Sequence, residues 1–404
     1  MLVTLIADDL TGACDAGAPF AGRARVTVVV DETAPGPEWE VAVADTESRA
    51  LDAAAAALSV TGAARRLAAR LARSVLFKKI DSTLRGPVGA ELEALLSATG
   101  RRTAIVCPAF PDQSRTVSAG IVRVAGRPAH ESPVGRDPAY PGSTSSVAAI
   151  LRSGTRRPVA SLPLARVRGG REEMERALAG GIDHLIVADA ETNADLHCIA
   201  DVALAHPDVV LAGSAGLAGA LAASLGYVGA PALLPRGRAW LIVAGSLHPA
   251  TRAQLLALEG AGVAGIRLDD RRDPDIGPLR GELEAGRPVF LATGDDAATA
   301  RAEPASRLAR LAAEILDTSR PDLVAVTGGQ TAFSLLRALG AGGIELVGAP
   351  SSGLGLGRVV GAVSSSPPLL TKGGGFGAPD LFVTLLERCE PSRGRSVGGR
   401  SAAR

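Results

Sequence analysis

The sequence runs to 404 residues, 47% hydrophobic and 21% charged, with 43 basic against 42 acidic residues and a formal net charge of +1. That length suits two domains, each with a core able to fold without disulfides. The charge balance and the 3% aromatic content argue against a basic nucleic-acid surface, an anionic-membrane surface or a base-stacking platform. Cys14, Cys107, Cys198 and Cys389 are far apart and form no CxxC pair, which removes a structural zinc site. The first residues carry no basic region, and their short apolar run meets Asp8 and Asp9 too soon for a signal or a membrane span. The expectation is a cytoplasmic protein without nucleic-acid or membrane partners.

Short β-rich apolar runs alternate along the chain with Ala/Leu/Arg helical patterns, the signature of an α/β fold with largely parallel sheets. Strands are predicted at 2–7, 26–30, 41–44, 74–78, 103–107, 185–187 and 209–212, with helices such as 11–21 and 88–97 between them. The Pro/Gly-rich stretch 115–144 is long for a loop in a compact domain; such loops are often functional, and a hairpin over 116–124 fits within it. A second series of strands follows at 239–243, 289–292, 323–327, 344–347 and 368–371. Residues 229–238, GAPALLPRGR, read as a linker between the two series. The predicted organisation is therefore a domain at 1–228, a domain at 239–389, and a disordered Ser/Gly/Arg-rich tail at 390–404.

Only three of the 43 basic residues are lysines, Lys78, Lys79 and Lys372. Against so strong an arginine bias, a surviving lysine can mark a place where a compact ammonium serves and a guanidinium fork does not. Two of the three lie in Lys78-Lys79-Ile80-Asp81-Ser82-Thr83-Leu84-Arg85, directly after a predicted strand. Ligands of open α/β sheets bind at the carboxyl ends of strands. Lys, Asp, Ser and Arg in one such loop suit a polyhydroxylated, anionic small molecule; as a plain turn, Asp81 or Ser82 would be a cap. Asp8 and Asp9 follow the first strand, where they can bind hydroxyls, coordinate Mg²⁺ or act as a base, and where one of them can cap the next helix. Arg49 is a further anion-binding candidate.

The second series has three glycine-rich strand ends: Gly245-Ser246-Leu247-His248, Gly328-Gly329-Gln330-Thr331 at the start of a predicted helix 331–339, and Lys372-Gly373-Gly374-Gly375-Phe376. Each alone is explained by a tight turn. Three together, one beside a rare lysine, favour a nucleotide or another polyphosphate. There is no GxxxxGK[ST] and no GxSxG, and Gly373, Gly375 and Ala378 match G-x-G-x-x-A with too little chain after them for a dinucleotide unit.

The segments IADDLTGACDAG, KKIDSTLRGPVGAELEALL and PAFPDQSRTVSAGIVRVAGRPAHESPVGRDP, then VAGSLHPATRAQL, VTGGQTAFSLLRALG and TKGGGFGAPDLF, resemble the four-carbon acid sugar kinase family. The resemblance implies two α/β domains with a ligand cleft between them, the first binding a sugar acid and the second ATP. It carries substrate contacts to Asp8 or Asp9, Arg49, Lys79, Ile80, Asp81 and Ser82, and ATP contacts to Ser246, Gly328, Gly329, Gln330, Thr331 and Gly374. The departures cluster in the nucleotide half: Gln330 stands for the family's usual Glu, Gly373 and Gly375 for Ser and Asn, and Ala349 where a Glu is common. An amide at Gln330 can hydrogen-bond but adds no charge to hold Mg²⁺.

The expected function is ATP- and Mg²⁺-dependent phosphorylation of a hydroxyl of a threonate, an erythronate or a keto-tetronate. Arg49, Lys79 and Arg85 would hold the substrate carboxylate, and Asp9 or Asp81 would accept the hydroxyl proton. The rival expectation is a sugar-acid sensor with degraded nucleotide use. Metal ligands are not identified by the sequence, and a homo-oligomer is compatible with it.

Overall fold

The computed structural model describes residues 2–30, 39–137, 139–179, 184–227, 229–268, 272–294, 303–361 and 366–389; the tail expected at 390–404 lies outside the described residues. Strands β1 (Leu2–Ala7), β2 (Val26–Val29), β3 (Val41–Asp45), β4 (Ser74–Lys79) and β5 (Thr103–Cys107) open the chain. A separate three-stranded antiparallel sheet follows, made of β6 (Arg115–Ser118), β7 (Ile121–Val124) and β8 (Arg127–Pro128), so the predicted hairpin carries one more strand. Strands β9 (Val159–Leu162), β10 (Leu185–Ala188) and β11 (Val209–Gly213) complete this half. The other half contains β12 (Trp240–Ala244), β13 (Ala264–Leu268), β14 (Val289–Thr293), β15 (Leu323–Thr327), β16 (Ala341–Gly348), β17 (Leu354–Gly361) and β18 (Leu369–Lys372).

Both halves share one 15-stranded sheet, ordered β13-β14-β12-β15-β18-β17-β16-β2-β3-β1-β4-β11-β5-β10-β9. Its pairings are parallel except around β16 and β17, where β17 runs antiparallel to β18 and β16, and β16 antiparallel to β2. Residues 344–347, expected as another strand of the parallel series, are therefore the seam: Leu346 pairs with Val26 and Gly343 with Val29. The expected linker, 229–238, holds no helix or strand. Gly229 packs on Gly22, where a Cβ would come within 2.7 Å, and the Ala232 amide donates to the Ala349 carbonyl.

Three strands of the large sheet left no signature in the sequence, each for a physical reason. β9 and β13 are the two edges of the sheet, and each buries only its last residue, so neither shows a continuous apolar run. β17 alternates leucine with glycine because its neighbours leave no room: a Cβ on Gly355 would lie 2.8 Å from Cys14 Cβ, and one on Gly357 2.5 Å from Ile344 Cγ2. The helix Leu10–Gly17, followed by a 3₁₀ turn at Ala18–Phe20, is buried at every residue and lies over the seam. Its small side chains allow that: a Cβ on Gly17 would meet Leu346 Cδ1 at 2.8 Å. Among the described residues, no helix is long and apolar enough to cross a membrane.

Candidate active site

β1 lies between β3 and β4, with Ala7 opposite both Asp45 and Lys79, so three loops far apart in sequence leave the sheet side by side. Asp9 caps the helix Leu10–Gly17 from extended backbone, accepting from the Gly12 amide at 2.8 Å and the Thr11 hydroxyl at 2.8 Å. Arg49 arrives from the β3 loop and donates to both acids. Its Nε and Nη2 bond Asp8 at 2.9 and 2.8 Å, and its Nη1 and Nη2 bond Asp9 at 2.6 Å each. Burial alone would raise the Asp8 carboxyl, but the charges of Arg49 and Lys79 outweigh it and hold the group below its usual range. Asp81 is gripped likewise. It accepts from Arg85 Nε at 3.0 Å, Arg85 Nη2 at 2.7 Å and the Thr83 amide and hydroxyl, and Arg85 and Arg49 hold it well below the carboxylate range against burial.

These contacts refine the expected roles. Arg49 spends its fork on Asp8 and Asp9, and Arg85 spends its own on Asp81 and Asp137, so neither is a bare receptor for a substrate carboxylate. Lys79 has more to give: its Nζ donates to the Ile80 carbonyl at 2.9 Å and stands 3.9 Å from Asp8. Ile80 contributes that carbonyl, its side chain being fully buried. Ser82 is buried in the same loop and caps no helix, since the helix Val88–Thr99 begins at Pro87 without a side-chain cap. Lys78 points away from the cleft into a buried ion pair with Glu91 at 2.7 Å, fastening β4 to that helix.

The opposite wall comes from β12, β15 and β18, whose ends align at Ala244, Thr327 and Lys372. It is built to bring backbone close. Gly328, at φ +101°, caps the helix Gly329–Ala338, which starts two residues earlier than predicted. A Cβ on Gly374 would lie 2.0 Å from Ser246 Oγ, and one on Gly245 1.8 Å from Thr331 Oγ1. Gln330 is exposed on the first helical turn. Lys372 is the surprise: its Nζ is buried and faces carbonyls, donating to Gly373 at 2.9 Å, Phe376 at 3.1 Å and Gly374 at 3.3 Å. It holds the glycine loop in shape, and burial drops its pKa to about 7.

The two walls touch. A Cβ on Gly329 would lie 2.4 Å from Asp9 Oδ2, which places the Asp9 carboxylate against the N-terminus of the helix Gly329–Ala338. Gln113 Nε2 donates to the Ser352 carbonyl at 3.0 Å, and Phe110 meets Phe376 edge-on with centroids 5.7 Å apart. Among the described residues, no three His, Cys, Asp or Glu side chains gather as a metal site. The glycine cradle with the hydroxyls of Ser246 and Thr331 suits a Mg²⁺ that arrives on phosphates and keeps much of its water.

Sequence reasoning passed over several groups here. Asp15, the one acid within the helix Leu10–Gly17, is pushed by burial to about 7 and accepts from the Gly353 amide. Glu47 is raised to about 7 by burial and by Asp9, and accepts from the Leu10 amide at 3.0 Å. His248 caps the helix Pro249–Gly260 through Nδ1, and burial with Arg85, Arg115 and Lys372 lowers it to about 4. Its ring fills the space beside Gly375, where a Cβ would lie 3.1 Å from Nε2. Phe376 does the same at Gly373, at 2.9 Å. The two glycines that depart from the family's pattern are thus matched to their aromatic neighbours.

A charged wall facing a glycine-built wall across a shared sheet defines a two-domain, ligand-plus-nucleotide protein, and the family models agree: residues 3–221 match a sugar-binding N-terminal domain and residues 241–382 a nucleotide-binding C-terminal domain. A D-threonate kinase of Bordetella bronchiseptica is 34% identical over 97% of this chain and 98% of its own length. A D-erythronate kinase of Heliobacterium modesticaldum is 31% identical over 95% and 96%. A crystal structure of a Haemophilus influenzae protein, 21% identical, superposes with a TM-score of 0.70 over 96% of this chain and 100% of that one, and so shares the fold. The chain belongs to the four-carbon acid sugar kinase family, and it is a kinase.

Proposed function

We propose that this kinase transfers the γ-phosphoryl group of Mg·ATP to a hydroxyl of a four-carbon sugar acid of the threonate, erythronate or keto-tetronate type. The observation that carries the reading is the junction of Asp9 with Gly329, where an acid of the sugar-acid wall adjoins the helix N-terminus suited to a phosphate. Asp9 is the base. It takes the hydroxyl proton as the hydroxyl oxygen bonds to the γ-phosphorus, and the bond to the β–γ bridging oxygen breaks with its electron pair leaving on ADP. Asp81, held by Arg85 and Thr83 and kept well below the carboxylate range, serves to orient Arg85 and accept from substrate hydroxyls. Lys79 and Ser82 receive the substrate carboxylate, with Arg49 aligning Asp8 and Asp9. Ser246, Gly328, Gly329, Gln330, Thr331 and Gly374 receive the triphosphate.

The test is ADP release by the purified protein with Mg·ATP across a panel of four-carbon sugar acids and their keto forms. Release with one acid, and none without it, is the expected result. Silence across the panel while an acid still raises the melting temperature would overturn the kinase reaction and leave a sugar-acid sensor.

A further inference from the structure

Arg115 belongs by sequence to the sugar-acid half, where it opens β6, yet its guanidinium sits against the nucleotide half. Nη2 donates to the Gly375 carbonyl at 3.2 Å, Nη1 donates to the Gln113 carbonyl, and the guanidinium carbon lies 4.9 Å from the centroid of the Phe376 ring. The residue is 8% exposed, and its buried Nε has no hydrogen-bond partner. Arg49 and Arg85 are each neutralised by two aspartates in contact, whereas Arg115 makes no ion pair among the described residues. Asp81 is the acid whose charge acts on it, and Asp81 is already gripped by Arg85.

A buried cation without a carboxylate is costly, and two carbonyls with a ring face offset that only in part. Such a group is complete when an anion arrives. Its position limits which anion: Arg115 bonds the glycine loop at Gly375 and lies within electrostatic reach of Asp81 and Arg85 on the other wall. A planar fork suits the equatorial oxygens of a phosphoryl group in transit. Ser114, at φ +57°, closes the 3₁₀ turn Pro111–Gln113 directly before Arg115. His248, neutral among Arg85, Arg115 and Lys372, adds a polar edge without adding charge.

We propose that Arg115 reaches across the cleft and donates to the γ-phosphoryl group during its transfer. The step is the one given above, with the O–P bond to the sugar acid forming as the bridging O–P bond to ADP breaks, and the proposal rests on that kinase reading. The test compares the wild-type chain with Arg115→Lys and Arg115→Met, the lysine variant keeping a charge in place should the methionine variant fail to fold. The expected result is a fall in kcat of roughly 10²–10³-fold, the loss typical of one transition-state donor. The Kd for ADP and the KM for the sugar acid stay within about threefold, since neither ground state uses the contact. ADP with aluminium fluoride, added with Mg²⁺ and the acid, raises the wild-type melting temperature above that with ADP alone, and this increment vanishes in the variants. A variant with wild-type kcat, or one whose ADP affinity falls in step with kcat, overturns the proposal and leaves Arg115 as a brace for the glycine loop. A wild-type protein silent on the whole panel overturns the kinase reading first, and this proposal with it.

Discussion

On the sugar-acid wall, charge is met by charge: Asp8, Asp9, Asp81 and Asp137 are all held by Arg49 or Arg85. On the nucleotide wall the site is mostly backbone, brought within reach by Gly245, Gly328, Gly329 and Gly374 and held by one lysine that bonds carbonyls. The difference follows the ligands each wall suits. A small sugar acid offers hydroxyls and a carboxylate at fixed positions, so it is recognised by side chains held rigid by their own counter-charges. A triphosphate offers a row of like oxygens, and backbone amides at a helix N-terminus meet these with no side chain at all. On the same wall Gly373 and Gly375 leave room for Phe376 and His248.

The sharpest way to break this comparison is to remove the charge at the junction. Asp9→Asn is expected to lower kcat by roughly 10²–10⁴-fold, the span of general-base catalysis, with the KM for ATP little changed. Asp81→Asn should act mainly on the KM for the acid through the loss of the Arg85 anchor; steady-state kinetics with its main loss in kcat would instead make Asp81 the base. Next is the counter-charge itself. Arg49→Met leaves Asp8 and Asp9 facing each other in a buried site, and denaturant unfolding at neutral pH should show a loss of about 3–5 kcal/mol.

On the opposite wall, shape is the target. Gly245→Ala puts a Cβ 1.8 Å from Thr331 Oγ1, and Thr331 is buried and β-branched, so it cannot swing clear. Overpacking of about 1–3 kcal/mol should raise the KM for ATP by roughly 10- to 100-fold, while calorimetry finds sugar-acid binding unchanged. The gentlest probe is pH. Lys372 is lowered by burial from 10.5 to about 7, so the unfolded chain takes up a proton in that window while the folded one does not. Its contribution to stability is whole above the unfolded value and is lost as pH falls toward 7, with a slope of up to roughly 1.4 kcal/mol per pH unit. Unfolding of Lys372→Met across pH 7–10 should lack that slope; an identical slope in both proteins would show that Lys372 does not titrate there.

Much of this was legible beforehand because it is encoded locally. The alternation of strand and helix, the acids after β1, the loop at Lys79–Arg85 and the glycine loops all lie in short stretches whose periodicity and turn chemistry announce them. The bias against lysine was informative in a different sense from the one expected: all three lysines are buried, and Lys78 and Lys372 are framework residues. The edge strands β9 and β13 escaped because an edge buries too little to leave a pattern, and β17 because close packing replaced its side chains with glycine.

By itself the sequence determined the two α/β halves and the family, and it singled out the loops proposed to carry chemistry, since hydrophobic period and loop composition act over a few residues. Only the tertiary structure decided which acid faces which arginine, that Asp9 adjoins Gly329, and that Arg115 crosses to Gly375. Those contacts depend on the register of strands far apart in the chain and on the antiparallel seam of β16 with β2, which unites both halves in one sheet. No local pattern specifies a distance across such a seam, because that distance is set by the packing of the whole sheet.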